Sequence, residues 1–282
     1  MVGCELPDHL RVLDDREWFA ILVKSIASRD FSGVRFPGFP DPAVQSNFVG
    51  SADQAALGEA FNFYVLAKGY ADALGMPIGS GRRFLDFGMA WGRFLRLFWK
   101  DVGAANLYGC DIDPNIVDLA RDLGVPGNLD RLYHFGKLPY PDDFLHGGIA
   151  YSVFTHLPEA VHLHWRRELA RVMRPGAVFS MTLEPRRFMD FVEMLPEDAA
   201  SAWHQSLRRF AKHISAYREG YDRGEFVYMP TGGGDFRSAD VYGDAVIPAS
   251  YIERHWAPEF AVRAHIDDAN AFSQAVVVLQ RV

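Results

Sequence analysis

The apolar positions of residues 10–28 recur at helical spacing. Trp18, Ile21, Leu22 and Ile26 fall on one side, Asp14 or Asp15 stands near the start, and an amphipathic helix is predicted. Residues 31–50 lose that rhythm. Pro37, Gly38, Pro40 and Pro42 make the stretch a loop, with Phe36, Phe39 and Phe48 expected to be exposed on it. Ser51 with Gln54 fits a capping box. Leu57, Phe61, Tyr64, Val65 and Leu74 then run at helical spacing until Gly75.

From Arg83 short apolar runs alternate with helical ones. Strands are predicted at 84–87, 107–110, 132–135, 148–153 and 177–183, and helices at 94–100, 115–123 and 158–173. Asp113 and Pro114 fit the N-cap and first position of the second of these helices, and Gly124 and Pro126 stop it. Val161, Trp165, Leu169 and Val172 form the stripe of the third, which Arg174-Pro175-Gly176 ends. The segment 184–247 breaks the alternation with a long helix at about 199–219, a strand-like stretch at 225–229 and the tract Thr231-Gly232-Gly233-Gly234. Two more strands follow at 260–265 and 272–279.

Strands joined through helices by short connections predict an α/β fold. It is a Rossmann-like, mostly parallel seven-stranded sheet with helices on both faces. The chain divides into a helical N-terminal extension with its aromatic loop (1–81), the core (82–183), a cap insertion (184–247) and the final strands (248–282). Open sheets of this type bind ligands beyond the carboxyl ends of their strands, so the residues just after each strand are the ones to inspect.

Composition narrows the possibilities. With 282 residues, 49% hydrophobic and 23% charged, the chain has material for a sizeable core. The formal net charge is −7, and the insertion holds eight Arg and Lys against eleven Asp and Glu. No basic stripe marks a nucleic-acid partner. Cys4 and Cys110 are too few for a disulfide framework. No signal-peptide pattern and no run of about 18 apolar residues is visible, so a cytoplasmic protein without a membrane span is expected.

The strongest chemical signal is Phe84-Leu85-Asp86-Phe87-Gly88-Met89-Ala90-Trp91-Gly92-Arg93. A strand runs into a turn with small residues at alternate positions, which lets backbone approach a ligand before the next helix offers free N–H groups. Asp111 ends the next strand, 19 residues after Gly92. A carboxylate there suits a ribose diol. Asp113 is better placed to cap the helix, which leaves Asp111 without a structural task. A dinucleotide and S-adenosylmethionine both fit a glycine turn plus an acid. The spacing departs from G-x-G-x-x-G, and Asp86 facing the ligand would repel a pyrophosphate but suit an ammonium or sulfonium group.

These segments, with Tyr108-Gly109-Cys110-Asp111-Ile112-Asp113-Pro114, Ala150-Tyr151-Ser152-Val153-Phe154-Thr155-His156-Leu157 and Arg174-Pro175-Gly176, resemble successive motifs of the class I S-adenosylmethionine-dependent methyltransferases, in that family's order and spacing. The resemblance is close over about 82–183. It implies S-adenosylmethionine as cofactor, with S-adenosylhomocysteine as product. It assigns Asp86, Phe87, Gly88, Ala90 and Gly92 to the first motif, Asp111 to the ribose, Ile112 to the adenine and Ser152 to the neighbourhood of the methyl group. Ala90 replaces the usual middle glycine, and His134-Phe135-Gly136 stands where many members carry an adenine-contacting acid.

The expected reaction is methyl transfer to oxygen or nitrogen of a small molecule, with His156 and Glu184 as candidate bases. Phe48, Tyr64, Trp203, Phe226 and Tyr228 are candidate walls of the acceptor pocket. An aminopropyl transferase, a nicotinamide oxidoreductase and a non-catalytic subunit with the same fold stay open. No metal is expected: His162 and His164 lie about 200° apart on a helix and cannot share an ion. Cys110 within a strand is not expected to be a nucleophile.

Overall fold

Asp14 starts the first long helix as its spacing predicts. Its carboxylate accepts from Glu17 N–H, the Glu17 side chain returns the bond, and the helix runs Asp15–Ala27. The computed structural model describes residues 5–199, 201–234 and 236–282, and Cys4 lies outside them. The chain divides into two compact units. One holds 1–133, 139–149 and 176–178; the other holds 134–138, 150–175 and 179–282.

The main sheet has seven strands: β1 (Phe84–Phe87), β2 (Leu107–Asp111), β3 (Asn128–Arg131), β4 (Leu145–Ala150), β5 (Met173–Leu183), β6 (Phe260–Ile266) and β7 (Ala275–Arg281). Their order is β6-β7-β5-β4-β1-β2-β3. In the first unit β1 pairs in parallel with both β2 and β4, and β2 with β3. Asp86 stands beside Gly109 on one side and Ile149 on the other. In the second unit β6 and β7 are antiparallel. No helix among the described residues is long and apolar enough to cross a membrane.

The aromatic loop of the first unit departs from its expected exposure. It contains a two-residue hairpin, Asp30–Phe31 with Val34–Arg35, and a helix, Pro42–Val49. Phe36 is fully buried, its ring 6.0 Å from that of Trp18 and 5.9 Å from that of Trp99. The buried Arg96 guanidinium donates to Pro37 O at 3.1 Å and Gly38 O at 2.7 Å, and lies over the rings of Phe39 and Trp91. Apolar rings leave water wherever a donor can satisfy the loop carbonyls, and Arg96 is that donor. Tyr64, a candidate pocket wall, is also core. It is fully buried, and its hydroxyl contacts Asp15 and Asp101.

Other boundaries move for local reasons. The Ser51–Gln54 box does not form; the helix Asp53–Ala73 begins with Asp53 N–H donating to Gln45 Oε1 at 2.9 Å. The third strand is Asn128–Arg131, not 132–135. As an edge strand it has few apolar residues, and Asn128 Nδ2 holds it by donating to Leu107 O at 3.0 Å. The helix predicted at 199–219 is two, Ala202–Arg208 and Ile214–Asp222, joined by a single turn at Ala211–His213. The break lets Leu207 and Ile214 both join the insertion's own apolar cluster with Met189, Val192, Met229 and Val246. A two-stranded hairpin, Val227–Met229 with Asp244–Val246, completes that cluster.

Candidate active site

In the first unit β1 delivers Asp86 into an apolar setting, where it is 1% exposed. Its Oδ2 is buried and accepts no hydrogen bond. Burial pushes the carboxyl up to about 8; the Arg93 charge opposes the shift and the Asp111 charge adds to it. An unpaired buried carboxylate is costly, and a cationic ligand would offset the cost.

The turn after β1 takes left-handed backbone at each small residue: Gly88 at φ 82°, Ala90 at φ 45° and Gly92 at φ 80°. Glycine is required at position 92, where an added Cβ would lie 2.5 Å from Val125. Ala90 holds the same conformation with a methyl group. Its N–H donates to Asp111 Oδ2 at 3.0 Å. Asp111 Oδ1 accepts Asp113 N–H at 3.0 Å, so Asp111 does have a structural task, while Asp113 caps the Pro114–Asp122 helix by accepting Asn115 N–H. Each carboxylate oxygen has a further lone pair, which leaves Asp111 able to accept ligand hydroxyls. Ile112 is partly exposed beside it, and the Phe87 side chain is core. A shallow depression lined by Met76, Ile78, Phe84 and His146 lies at the opposite, amino-terminal end of β1, away from Asp86.

In the second unit Ser152 follows β4 in left-handed backbone, φ 56°. Its N–H donates to Thr182 Oγ1 at 2.7 Å. Gln274 Nε2 donates to Ser152 Oγ at 3.0 Å and to Glu184 Oε1 at 2.8 Å, bridging two residues that the sequence offered separately. Burial pushes Glu184 up to about 7; the Gln274 bond opposes the shift and the Asp244 charge adds to it.

His156 lies on the turn after Ser152. Its Nδ1 donates to Gly243 O at 2.8 Å and is 3.7 Å from Asp244 Oδ1, and its ring stacks on Tyr242 at 4.7 Å. Asp244 is buried, receiving Trp203 Nε1 on both oxygens at 3.2 Å and Thr231 Oγ1 at 2.6 Å.

Gln274 and Asp244 escaped sequence reasoning. Each meets its partner across a long separation, 122 residues for Gln274 and Ser152, and neither sits in a recurrent pattern. The other candidate walls are scattered: Phe226 rings against His162, Tyr228 donates to Ala239 O, and Phe48 is partly exposed.

Other candidates resolve into structural groups. His162 is buried, receives Trp256 Nε1 at 2.9 Å and is pushed down to about 3 by burial, while His164 Nε2 donates to Gly136 O at 2.7 Å. Among the described residues no group of three His, Cys, Asp or Glu could hold a metal ion. Burial raises the Cys110 thiol well above its ordinary range. Arg186 pairs with Asp222, and Arg187 with Asp267 and the carbonyls of Phe272 and Ser273.

A family model described as "Methyltransferase domain" matches residues 85–181. No curated protein matches the sequence. Among solved structures, an S-adenosylmethionine-dependent methyltransferase from Clostridium acetobutylicum is similar, with TM-score 0.52 and 8% identity over 79% of this chain and 91% of that one. The mitomycin 7-O-methyltransferase MmcR has TM-score 0.51 and 13% identity over 86% and 58%. The magnesium protoporphyrin IX methyltransferase of Synechocystis, solved with bound S-adenosylhomocysteine, has TM-score 0.50 and 14% identity over 80% and 85%. At these identities the likeness is one of fold. The family match spans most of β1, the glycine turn, Asp111 and most of β5, so residues 85–181 are similar to a methyltransferase domain.

Proposed function

We propose that the protein binds S-adenosylmethionine and transfers its methyl group to an oxygen or nitrogen of a small molecule. The observation that carries this reading is the buried, unpartnered Oδ2 of Asp86 beside a left-handed glycine turn. A buried carboxyl whose Oδ2 has no hydrogen-bond partner among the described residues suits a ligand with a positively charged amino-acid tail. The chemistry supplied by S-adenosylmethionine is an electrophilic methyl carbon on a cationic sulfur.

Asp86 and the backbone of Phe87, Gly88, Ala90 and Gly92 would hold the amino-acid end. Asp111 would accept the ribose hydroxyls, Ile112 would lie against the adenine, and Ser152 would lie near the methyl end. Holding the acceptor against that carbon and excluding water is the main catalytic work, worth about 7–11 kcal/mol in well-oriented systems. His156 and Glu184 are the proposed proton acceptors for a hydroxyl or amine substrate. The net charge of −7 and the acidic insertion support a small-molecule acceptor over a nucleic acid.

The test is calorimetry with S-adenosylmethionine, S-adenosylhomocysteine and NAD, followed by methyl transfer from isotope-labelled cofactor to a panel of hydroxylated and amino metabolites. Micromolar binding of the first two, and none of NAD, is expected. Absence of S-adenosylhomocysteine binding at millimolar concentration would overturn the assignment.

A further inference from the structure

We propose that Asp244 is a positioning residue for His156, and that the pair keeps His156 Nε2 ready to take the proton of the methyl acceptor. The inference rests on the methyl-transfer reading and concerns its proton step.

A carbonyl only accepts, so the 2.8 Å contact with Gly243 O places the proton of neutral His156 on Nδ1 and the lone pair on Nε2. Nε2 has no hydrogen-bond partner among the described residues, and the side chain is 21% exposed. Backbone bonds lock the arrangement: Gly243 N–H donates to His156 O at 2.9 Å and Ala245 N–H to Thr155 O at 2.7 Å. Tyr242 fixes the ring plane, its own ring only 14° from parallel. Position 243 has no room for a side chain, since a Cβ would lie 2.3 Å from Met229 O.

Burial raises the Asp244 carboxyl above its ordinary value, and the His156 charge and the bonds from Thr231 and Trp203 oppose that shift. Asp244 is 1% exposed, and Trp203 Nε1 and Thr231 Oγ1 donate to it. Oδ1 lies 3.7 Å from His156 Nδ1, close enough to stabilise an imidazolium. The other charged or titratable groups around the pair among the described residues are Glu184, which interacts with Asp244, Tyr228 and Tyr242, and Arg237 over the Tyr242 ring. In the proton step the acceptor's O–H or N–H bond breaks, its electron pair stays on the acceptor atom, and the proton bonds to Nε2. The resulting imidazolium lies between Gly243 O and the Asp244 carboxylate.

The test is ¹⁵N–¹H long-range NMR of the imidazoles in the full chain, with His156→Gln identifying the signals. The expected result is neutral His156 protonated on Nδ1, with ring ¹⁵N shifts that Asp244→Asn moves and Asp244→Glu largely restores. A proton on Nε2 in the unsubstituted protein overturns the proposal, as do ring ¹⁵N shifts that Asp244→Asn leaves in place. The tautomer is read on the unsubstituted protein, so that measurement decides even where a variant does not fold. Calorimetry with S-adenosylhomocysteine on the same samples separates the two levels. Lost binding removes the methyl-transfer reading, whereas the tautomer decides the pairing alone.

Discussion

Asp111 Oδ2 holds the N–H of Ala90 at 3.0 Å, so the acid proposed for the ribose also shapes the turn proposed for the amino-acid tail. One carboxylate therefore sets the conformation of the loop and offers lone pairs to a ligand.

Asp111→Ala removes the acceptor of two backbone N–H groups and the proposed sugar contact together. Cofactor affinity is expected to fall at least tenfold by calorimetry. Urea denaturation is expected to show a stability loss of about 1–3 kcal/mol. Unchanged affinity would remove Asp111 from the site.

Asp86 gives a pH signature. Its folded pKa, about 8, stands above its ordinary value of 3.8, so between those limits the folded chain holds a proton that the unfolded chain releases. The contribution to stability is complete below pH 3.8, declines as pH rises, and is gone above about 8. The slope is at most about 1.4 kcal/mol per pH unit. Denaturation at pH 5 to 9 is expected to show a decline for the free protein that Asp86→Asn lacks. A cationic ligand needs the ionised form, so cofactor affinity is expected to rise over the same range.

Ala90 at φ 45° carries a methyl group where glycine costs less. Ala90→Gly is expected to leave thermal stability unchanged or raise it, by up to about 1 kcal/mol, because relief of the left-handed strain offsets the added freedom of the unfolded chain. A clear loss in a melting experiment would show that the methyl group packs usefully.

Gly243→Ala drives a Cβ toward Met229 O and Tyr228. A loss of about 1–3 kcal/mol is expected by denaturant titration. The His156 ring signals are expected to shift with it, because the carbonyl that orients the ring moves.

The glycine turn and Asp111 were legible in the sequence because each lies immediately after a strand, where chain order and spatial order coincide. His156 and Glu184 were legible as candidates for the same reason. Their partners were not. Asp244 sits in a three-residue strand of the insertion, and Gln274 just ahead of β7, so only tertiary pairing brings them in. The aromatic loop misled for a different reason. Proline and glycine marked irregular backbone, and irregular backbone is usually exposed. Here Arg96, far along the chain, supplies the donors that allow Pro37 and Gly38 to be buried.

The Arg96 contact has a practical consequence for anyone trimming or grafting this protein. Arg96 belongs to the Arg93–Val102 helix that opens directly from the glycine turn, and both of its carbonyl partners come from the leading segment. A fragment cut back to residue 82 would leave a guanidinium, Trp18's old neighbours and the ring of Trp99 facing water, beside the backbone proposed to grip the nucleoside. A chimera that swaps in another relative's leader must carry an equivalent pair of oxygens, or exchange the arginine at the same time.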